Sequence, residues 1–344
     1  MKERKKELLN GLLFAAILLA TIYGVFRGQD LGRLREVLGQ CRPGWVAGAA
    51  GCVVLYLAAD AFNLWLLLDS FGMGLGQGTC LLTSAVGFFF CAITPSATGG
   101  QPMQVYFLRR KGIPVSVTSV ALLVSAVAFK IALLLLCLGF ALFRWRVLTE
   151  CLDGMMFLFY IGLGITGGWT AFLILLLFRP GLAKSILVWG MTVLEELHIL
   201  KDRQKHQTAI EIAMETYGDT AAHVKGHPLL MGSVLAAAAV RRAAAFSVTW
   251  CAYKALGLTG TSWLQILALQ AAICICADML PLPGGMGISE ALFLRVFAGA
   301  FGALAMPGMI LSRGIGHYCQ LILCAVLTLA AAAVMRREPP LGSQ

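Results

Sequence analysis

Met279-Leu280-Pro281-Leu282-Pro283-Gly284-Gly285-Met286-Gly287-Ile288-Ser289-Glu290 interrupts an apolar run, and Ala291-Leu292-Phe293-Leu294-Arg295 follows at once. An earlier copy, Ile93-Thr94-Pro95-Ser96-Ala97-Thr98-Gly99-Gly100-Gln101-Pro102, also closes an apolar run, and Val105-Tyr106-Phe107-Leu108-Arg109 answers Ala291 to Arg295. Each copy reads as apolar helix, Pro/Gly break and second short helix. Proline removes a backbone donor and glycine adds backbone freedom, so both breaks leave main-chain polar groups without helical partners. Hydrocarbon cannot satisfy such groups. At membrane depth they are tolerated only inside protein or beside a wet cavity, and matched broken segments in two halves point to a transporter site. Two ordinary loops between complete spans are the plainer alternative.

Composition sets the same environment: 59% of the 344 residues are hydrophobic and only 13% are charged. The chain reads as an integral membrane protein with room for roughly six to eight spans of about 20 residues, hence one polytopic domain over 1–344 and no separate soluble enzyme. The net charge of +10 is spread over loop ends, which suits anionic lipid surfaces rather than nucleic acid. Most of the eleven cysteines lie inside apolar runs as small packing residues, there is no CxxC pair, and no histidine stands at a zinc spacing from them. Neither a metal nor another cofactor is expected.

In chain order, Met1-Lys2-Glu3-Arg4-Lys5-Lys6 is a basic head before an apolar run from Leu8 to Phe26. No convincing small-residue cleavage site precedes Arg27, so the run is taken as a first span with a cytoplasmic head. A second span covers about Trp45 to Leu68. Thr79 to Lys111 then decides the topology. If Thr79 to Thr94 crosses completely, Arg109-Arg110-Lys111 and the polar stretch 179–227 lie outside; if the segment dips in and returns, both stay in the cytoplasm.

The dipping arrangement continues with spans at Val115 to Phe143 and Gly154 to Phe178, separated by an external loop near Arg144 to Asp153. A span from Pro228 to Leu256, an outside dip from Ser262 to Phe301 and a last span from Pro307 to Val334 follow. Every basic cluster then faces inward except the short Arg27 to Arg42 and Arg144/Arg146 loops, which favours this arrangement. Three spans separate the dips, so the second is inverted relative to the first. The expected fold is all-α, with about six full spans plus two opposed re-entrant helical hairpins. Repeats at about 79–178 and 228–334 are joined by a cytoplasmic stretch, 179–227. Within it Leu182, Ile186, Trp189, Val193, Leu197 and Leu200 recur at helical spacing, an amphipathic surface helix or a plain connector, with a second helix near Ala209 to Tyr217.

TPSATGGQP with the following YFLRRKG, VTWCAYKALGL at 248–258 and PLPGGMGISEA together resemble the flippase-like membrane family of the lysylphosphatidylglycerol synthases, over essentially the whole chain. Larger members of that family carry a C-terminal soluble domain that transfers lysine from charged tRNA to phosphatidylglycerol. Their membrane part is implied to move the product lipid between leaflets. Here only residues 335–344 follow the last span, so the resemblance implies a stand-alone member without the lysyltransferase domain, in a bacterial-type plasma membrane. Gln101 stands where many members have an acidic residue.

Charged residues inside spans carry the rest, since each costs about 2.5–3.5 kcal/mol at a helix centre on insertion scales. Arg241 and Arg242 fall mid-span, Lys130 lies inside another span, and Arg313 and His317 share a face four residues apart. One reading makes them a cationic cavity for an anionic headgroup; the other pairs them structurally with Asp60, Asp278 or Glu290. Pro102 suits a first helical turn and Ser289 a cap after Gly287, so both short helices would begin at the hairpin tips with their positive ends toward the midplane. The tips themselves are Pro95, Gly99, Gly100 and Pro102 in the first hairpin, and Pro281, Pro283, Gly284 and Gly285 in the second. Glu290 is either an arginine partner or a proton site, and Gln101 completes the candidate binding set.

No GxSxG, HExxH or Walker loop occurs, so no catalytic residue is assigned. The expected function is a lipid translocase passing a phospholipid or polyprenyl-phosphate headgroup between leaflets, with both termini cytoplasmic. A small-solute transporter of inverted-repeat type, or a non-transporting partner of a lipid-modifying enzyme, are the alternatives, and a homo-oligomer stays open.

Overall fold

The computed structural model describes residues 36–94, 97–152, 154–196, 203–277 and 287–337, and these contain helices and turns with no strand. In order they form α1 (Pro43–Ser70), α2 (Gln77–Ile93), α3 (Gly100–Arg110), α4 (Val115–Cys151) and α5 (Met156–Phe178). Next come α6 (Pro180–Glu196), α7 (Arg203–Gly226), α8 (Pro228–Ala255), α9 (Trp263–Ala277) and α10 (Ile288–Val296). The described residues end in α11 (Ala298–Phe301), a 3-10 turn, α12 (Ala305–Arg313), a π-helical segment (Gly314–Cys319) and α13 (Gln320–Arg337).

Five of these stretches are long and apolar enough to cross a membrane: α1, α4 over Val115–Leu142, α5, α8 and the composite Ala298–Val334. They coincide with the spans read from hydropathy. The expected first span, from Leu8 to Phe26, lies outside the described residues. Two boundaries differ. Helix α4 runs 37 residues to Cys151, so Arg144 to Cys151 is helix and not the expected loop. Nothing in that stretch breaks a helix until Gly154, whose φ of +70° turns the chain where other residues would be strained. The last span likewise starts before Pro307, which is accommodated in the first turn of α12 because its missing N–H has no helical acceptor there anyway.

Helix α3 doubles back along α2. Gln104 Nε2 donates to the Thr83 carbonyl at 3.3 Å, and a Cβ on Gly100 would stand 2.2 Å from Cys91 Sγ and 2.7 Å from the Gly87 carbonyl oxygen. Residues 83 and 87 thus face 104 and 100 in antiparallel order. The turn is held by side chains: Thr94 Oγ1 donates to the Phe90 carbonyl at 2.6 Å and accepts the Gly99 N–H at 2.9 Å. Ala97 lies there at φ +54°, which costs a non-glycine residue about 1–2 kcal/mol.

Two apolar clusters mark the ends of the bundle. One gathers Leu67 and Leu68 of α1, Cys80 of α2, Leu108 of α3, Val117 and Val120 of α4, Leu177 of α5, Tyr217 of α7 and Val234 of α8. Tyr217 also donates its hydroxyl to the Leu176 carbonyl at 3.1 Å, and burial pushes its phenol pKa up. The other cluster gathers Cys137 and Leu148 of α4, Phe159 of α5, Tyr253 of α8, Ile266 of α9, Phe293 of α10 and Met309 of α12. The open end of the α2–α3 hairpin therefore shares one end with the start of α8, and α9–α10 pack at the end where α8 finishes. Between them α1 and α8 pack closely through small residues, with a Cβ on Gly48 only 3.6 Å from Cys251 Sγ. Gly162 of α5 meets α9 as tightly, since a Cβ there would lie 2.3 Å from the Ile275 carbonyl oxygen.

Gly100→Ala is expected to force α3 off α2 and cost about 1–3 kcal/mol. Gly139→Ala, where a Cβ meets nothing within 4 Å, should be neutral or gain up to about 1 kcal/mol from lower chain entropy in the unfolded state. Thermal unfolding of both variants in detergent checks the contrast; equal melting temperatures would mean that the hairpin does not close as tightly as described.

Candidate functional site

Helix α1 presents Tyr56 and Asp60 one turn apart on one face, opposite Arg241 in the middle of α8. Arg241 Nη1 lies 2.6 Å from Asp60 Oδ1, and Nη2 donates to the Tyr56 hydroxyl at 2.7 Å. Its guanidinium also sits over the Tyr56 and Phe129 rings, at 4.6 and 4.2 Å from their centroids. The neighbouring Arg242 is buried, 6% exposed. It lies 3.4 Å above the centroid of the Phe129 ring and donates to the Phe129 carbonyl at 3.3 Å. A desolvated guanidinium on an aromatic face gains about 2 kcal/mol, so Phe129 of α4 supports both arginines. Lys130, half-buried, follows it in the chain.

A second ion pair joins the return arm of the later hairpin to the last span. Arg313, at the end of α12, donates from Nε to Glu290 Oε1 at 2.9 Å, and its Nη2 stands 2.9 Å from the same oxygen. Arg313 Nη2 also donates to the Ser289 hydroxyl. The other carboxylate oxygen of Glu290 accepts the Gly287 N–H at 2.7 Å and the Ser289 hydroxyl at 3.2 Å. This corrects the expected cap: Gly287, at φ +86°, occupies the N-cap and Ser289 lies inside the first turn. The bend needs a left-handed residue, and Glu290 reaches back over it. Glu290 is 4% exposed, and its side chain fills the helix N-terminus that the sequence offered to a ligand anion. Of its two sequence readings, this geometry is the arginine partner.

Next to this pair, the hydroxyls of Thr249 and Ser312 are 2.7 Å apart, and Gln270 Nε2 donates to Thr249 Oγ1 at 2.6 Å. Helices α9 and α10 are thereby both tied to the last span: α9 through Gln270, Thr249 and Ser312, and α10 through Glu290 and Arg313. The chain beyond Arg313 widens into the π-helical turn, a local geometry frequent at functional sites. Gly316 lets this turn approach α8, with a Cβ there 3.3 Å from Val248.

Ring contacts run from the first ion pair to His317, in the segment that follows Arg313. Tyr56 packs edge-on against Phe88 of α2 at 6.1 Å, and Phe88 against His317 at 6.2 Å. His317 follows Arg313 by four residues, within the π-helical segment. The structure thus brings Arg241 and Arg242 together on Phe129, pairs Arg313 with Glu290, and connects the first group to His317 through Tyr56 and Phe88. Gln101 and Pro102 are exposed in the first turn of α3, beside Gly99 and Gly100. Pro95, Pro281, Pro283, Gly284, Gly285 and Asp278 lie outside the described residues. Sequence reasoning passed over Tyr56, Phe129, Thr249, Gln270 and Ser312. The four-residue spacing of Tyr56 and Asp60 inside an apolar run was the available signal for the first; an aromatic or hydroxyl residue in a packed helix carries none.

The sequence model of one protein family, the lysylphosphatidylglycerol synthase TM region, matches residues 8–324. No curated protein matches the chain.

If Arg241 and Asp60 act as a unit, Asp60→Leu leaves a largely buried guanidinium without its counter-charge and is expected to cost about 3–5 kcal/mol. The double variant Asp60→Leu, Arg241→Leu should then be more stable than Asp60→Leu alone. Unfolding of the four proteins in one detergent decides it, and strictly additive losses would contradict the pairing.

Proposed function

The chain belongs to the family of the lysylphosphatidylglycerol synthase TM region and is a multi-pass membrane protein; on that basis, and on the charged centre of the bundle, we propose that it is a lipid translocase. Its cargo is a phospholipid or polyprenyl-phosphate whose headgroup crosses between two re-entrant hairpins while its tails stay in the bilayer. What supports this reading is that α2–α3 packs into the apolar cluster at the start of α8 and α9–α10 into the cluster at its end; as opposed hairpins they would hold the guanidinium groups between them. Segments 79–178 and 228–334 then act as inverted repeats around one site.

Orientation follows from charge. The end that carries Arg109, Arg110, Lys111 and helices α6 and α7 is assigned to the cytoplasm of a bacterial-type plasma membrane by the positive-inside rule. Leu182, Ile186 and Trp189 of α6 are exposed, which suits a helix lying in the membrane surface beside the first hairpin.

Pairing explains how arginines reside at the centre of a membrane protein. With Asp60 on Arg241 and Glu290 on Arg313, neither guanidinium is left as an isolated charge when no headgroup is bound. An arriving phosphate offers the same acceptor geometry as a carboxylate and exchanges for it in the guanidinium fork. Arg241 keeps a donor for this: its buried Nε has no hydrogen-bond partner among the described residues. Because one acceptor replaces another, the empty and loaded states lie close in energy, as a carrier requires.

Replacing both Arg241 and Arg242 with alanine is expected to slow flipping of a fluorescent phospholipid in a leaflet-resolved vesicle assay by about tenfold or more, since each charge-assisted hydrogen bond is worth about 1.5–3 kcal/mol. Unchanged flipping in folded protein would remove the headgroup role. For the topology, cysteines placed at Lys111 and Thr259, in a background without the native cysteines, should label from opposite sides of the membrane; labelling from one side would overturn the inverted arrangement.

A further inference from the structure

Between α4 and the first turns of α9 lies a groove of about 610 Å³, away from the ion pairs and within the size range of ligand pockets. Leu135 and Gly139 of α4 form one wall and Leu264 and Ala268 of α9 the other. Among the described residues its flank is open sideways: Leu135 is 57% and Leu264 62% exposed. Among the described residues a Cβ on Gly139 would meet nothing within 4 Å, so the missing side chain leaves room at the floor. One end is polar, with Gln265 and the exposed hydroxyl of Ser262, which caps α9 by accepting the Gln265 N–H at 3.3 Å. Trp263, half out of the protein with its Nε1 donating to the Ser247 hydroxyl at 2.8 Å, sits beside that end as tryptophans do at the headgroup level of a bilayer. From Ser262 to Ala268 the groove follows α9 inward for about 9 Å.

A groove with an apolar floor, a sideways mouth and a polar end at headgroup depth matches one occupant in shape and chemistry. From this we infer that it holds an acyl chain of a membrane phospholipid, glycerol end at Ser262 and Gln265 and tail running along α9 toward the bundle centre. Water is a poor filler for walls of Leu, Ala and Phe, whereas a tail restores the lost dispersion contacts. The inference rests on the lipid reading above and extends it to where a tail is held, against the start of α9.

The test is photo-crosslinking in phosphatidylglycerol/phosphatidylethanolamine vesicles containing a phosphatidylglycerol with a diazirine in its acyl chain. The full-length protein should be labelled on α4 near Gly139 and on α9 near Ala268 about tenfold more than on the lipid-exposed face of α5 around Ile165. Gly139→Phe, which fills the floor, should bring groove labelling down to the α5 level; Leu135→Trp, at the tolerant rim, does the same should the first variant not fold. Equal labelling of groove and α5 in the wild type, or labelling undiminished in a folded variant, overturns the site. Flipping measured in the same vesicles separates this from the transport reading: selective labelling without flipping keeps the tail site and removes transport, while flipping with no selective labelling keeps transport and removes the tail site.

Discussion

A peptide group that loses its helical partner inside hydrocarbon must find another within the protein, at several kcal/mol per group. Around the first break, Thr94 takes the Gly99 N–H and gives its own proton to the Phe90 carbonyl, while the Cys91 thiol donates to the Ala97 carbonyl at 3.4 Å. At the second, Glu290 takes the Gly287 N–H. Such local closure needs the two arms of a hairpin to touch, and only glycine permits the approach of Gly100 to Gly87 and Cys91. The pattern of glycines thus reports a backbone requirement rather than flexibility.

The same requirement shapes the charges. Glu290 caps a helix that starts at a break, and its remaining oxygen is free to hold Arg313, so the anchor of the hairpin and the ion pair are one structure. Arg241 and Asp60 repeat the arrangement between α8 and α1. Arginine buried with a carboxylate, an aromatic face and a hydroxyl has its charge compensated within the protein. Edge-on ring contacts through Tyr56, Phe88 and His317 place the first hairpin between the Arg241–Asp60 centre and the segment that follows Arg313. Movement of α2 would therefore be felt at each of them.

Much of this was legible in order, less of it in detail. Long apolar runs marked the spans at 45–68, 115–143, 154–178, 228–256 and 307–334, because crossing hydrocarbon demands that length. Helix ends were harder: Arg144 to Cys151 contains no breaker, so its polarity suggested a loop where the chain stays helical. The sequence offered three carboxylates for the arginines, but which one meets which depends on helix rotation, and composition does not encode that. The π-helical turn at Gly314–Cys319 is one extra residue in a helical turn and has no signature of its own. Phe129 reads as core until two guanidinium groups are found against it.

The account stands on the first break being a tip at membrane depth rather than a loop in water. Its depth can be measured directly, with a spin label at Thr98 in lipid nanodiscs and the relative access of oxygen and a water-soluble paramagnetic reagent. A tip between the leaflets predicts that the label is screened from headgroup-level quenchers and lies much deeper than one at Lys111. Equal depths for the two positions, at the level of the headgroups, would contradict it.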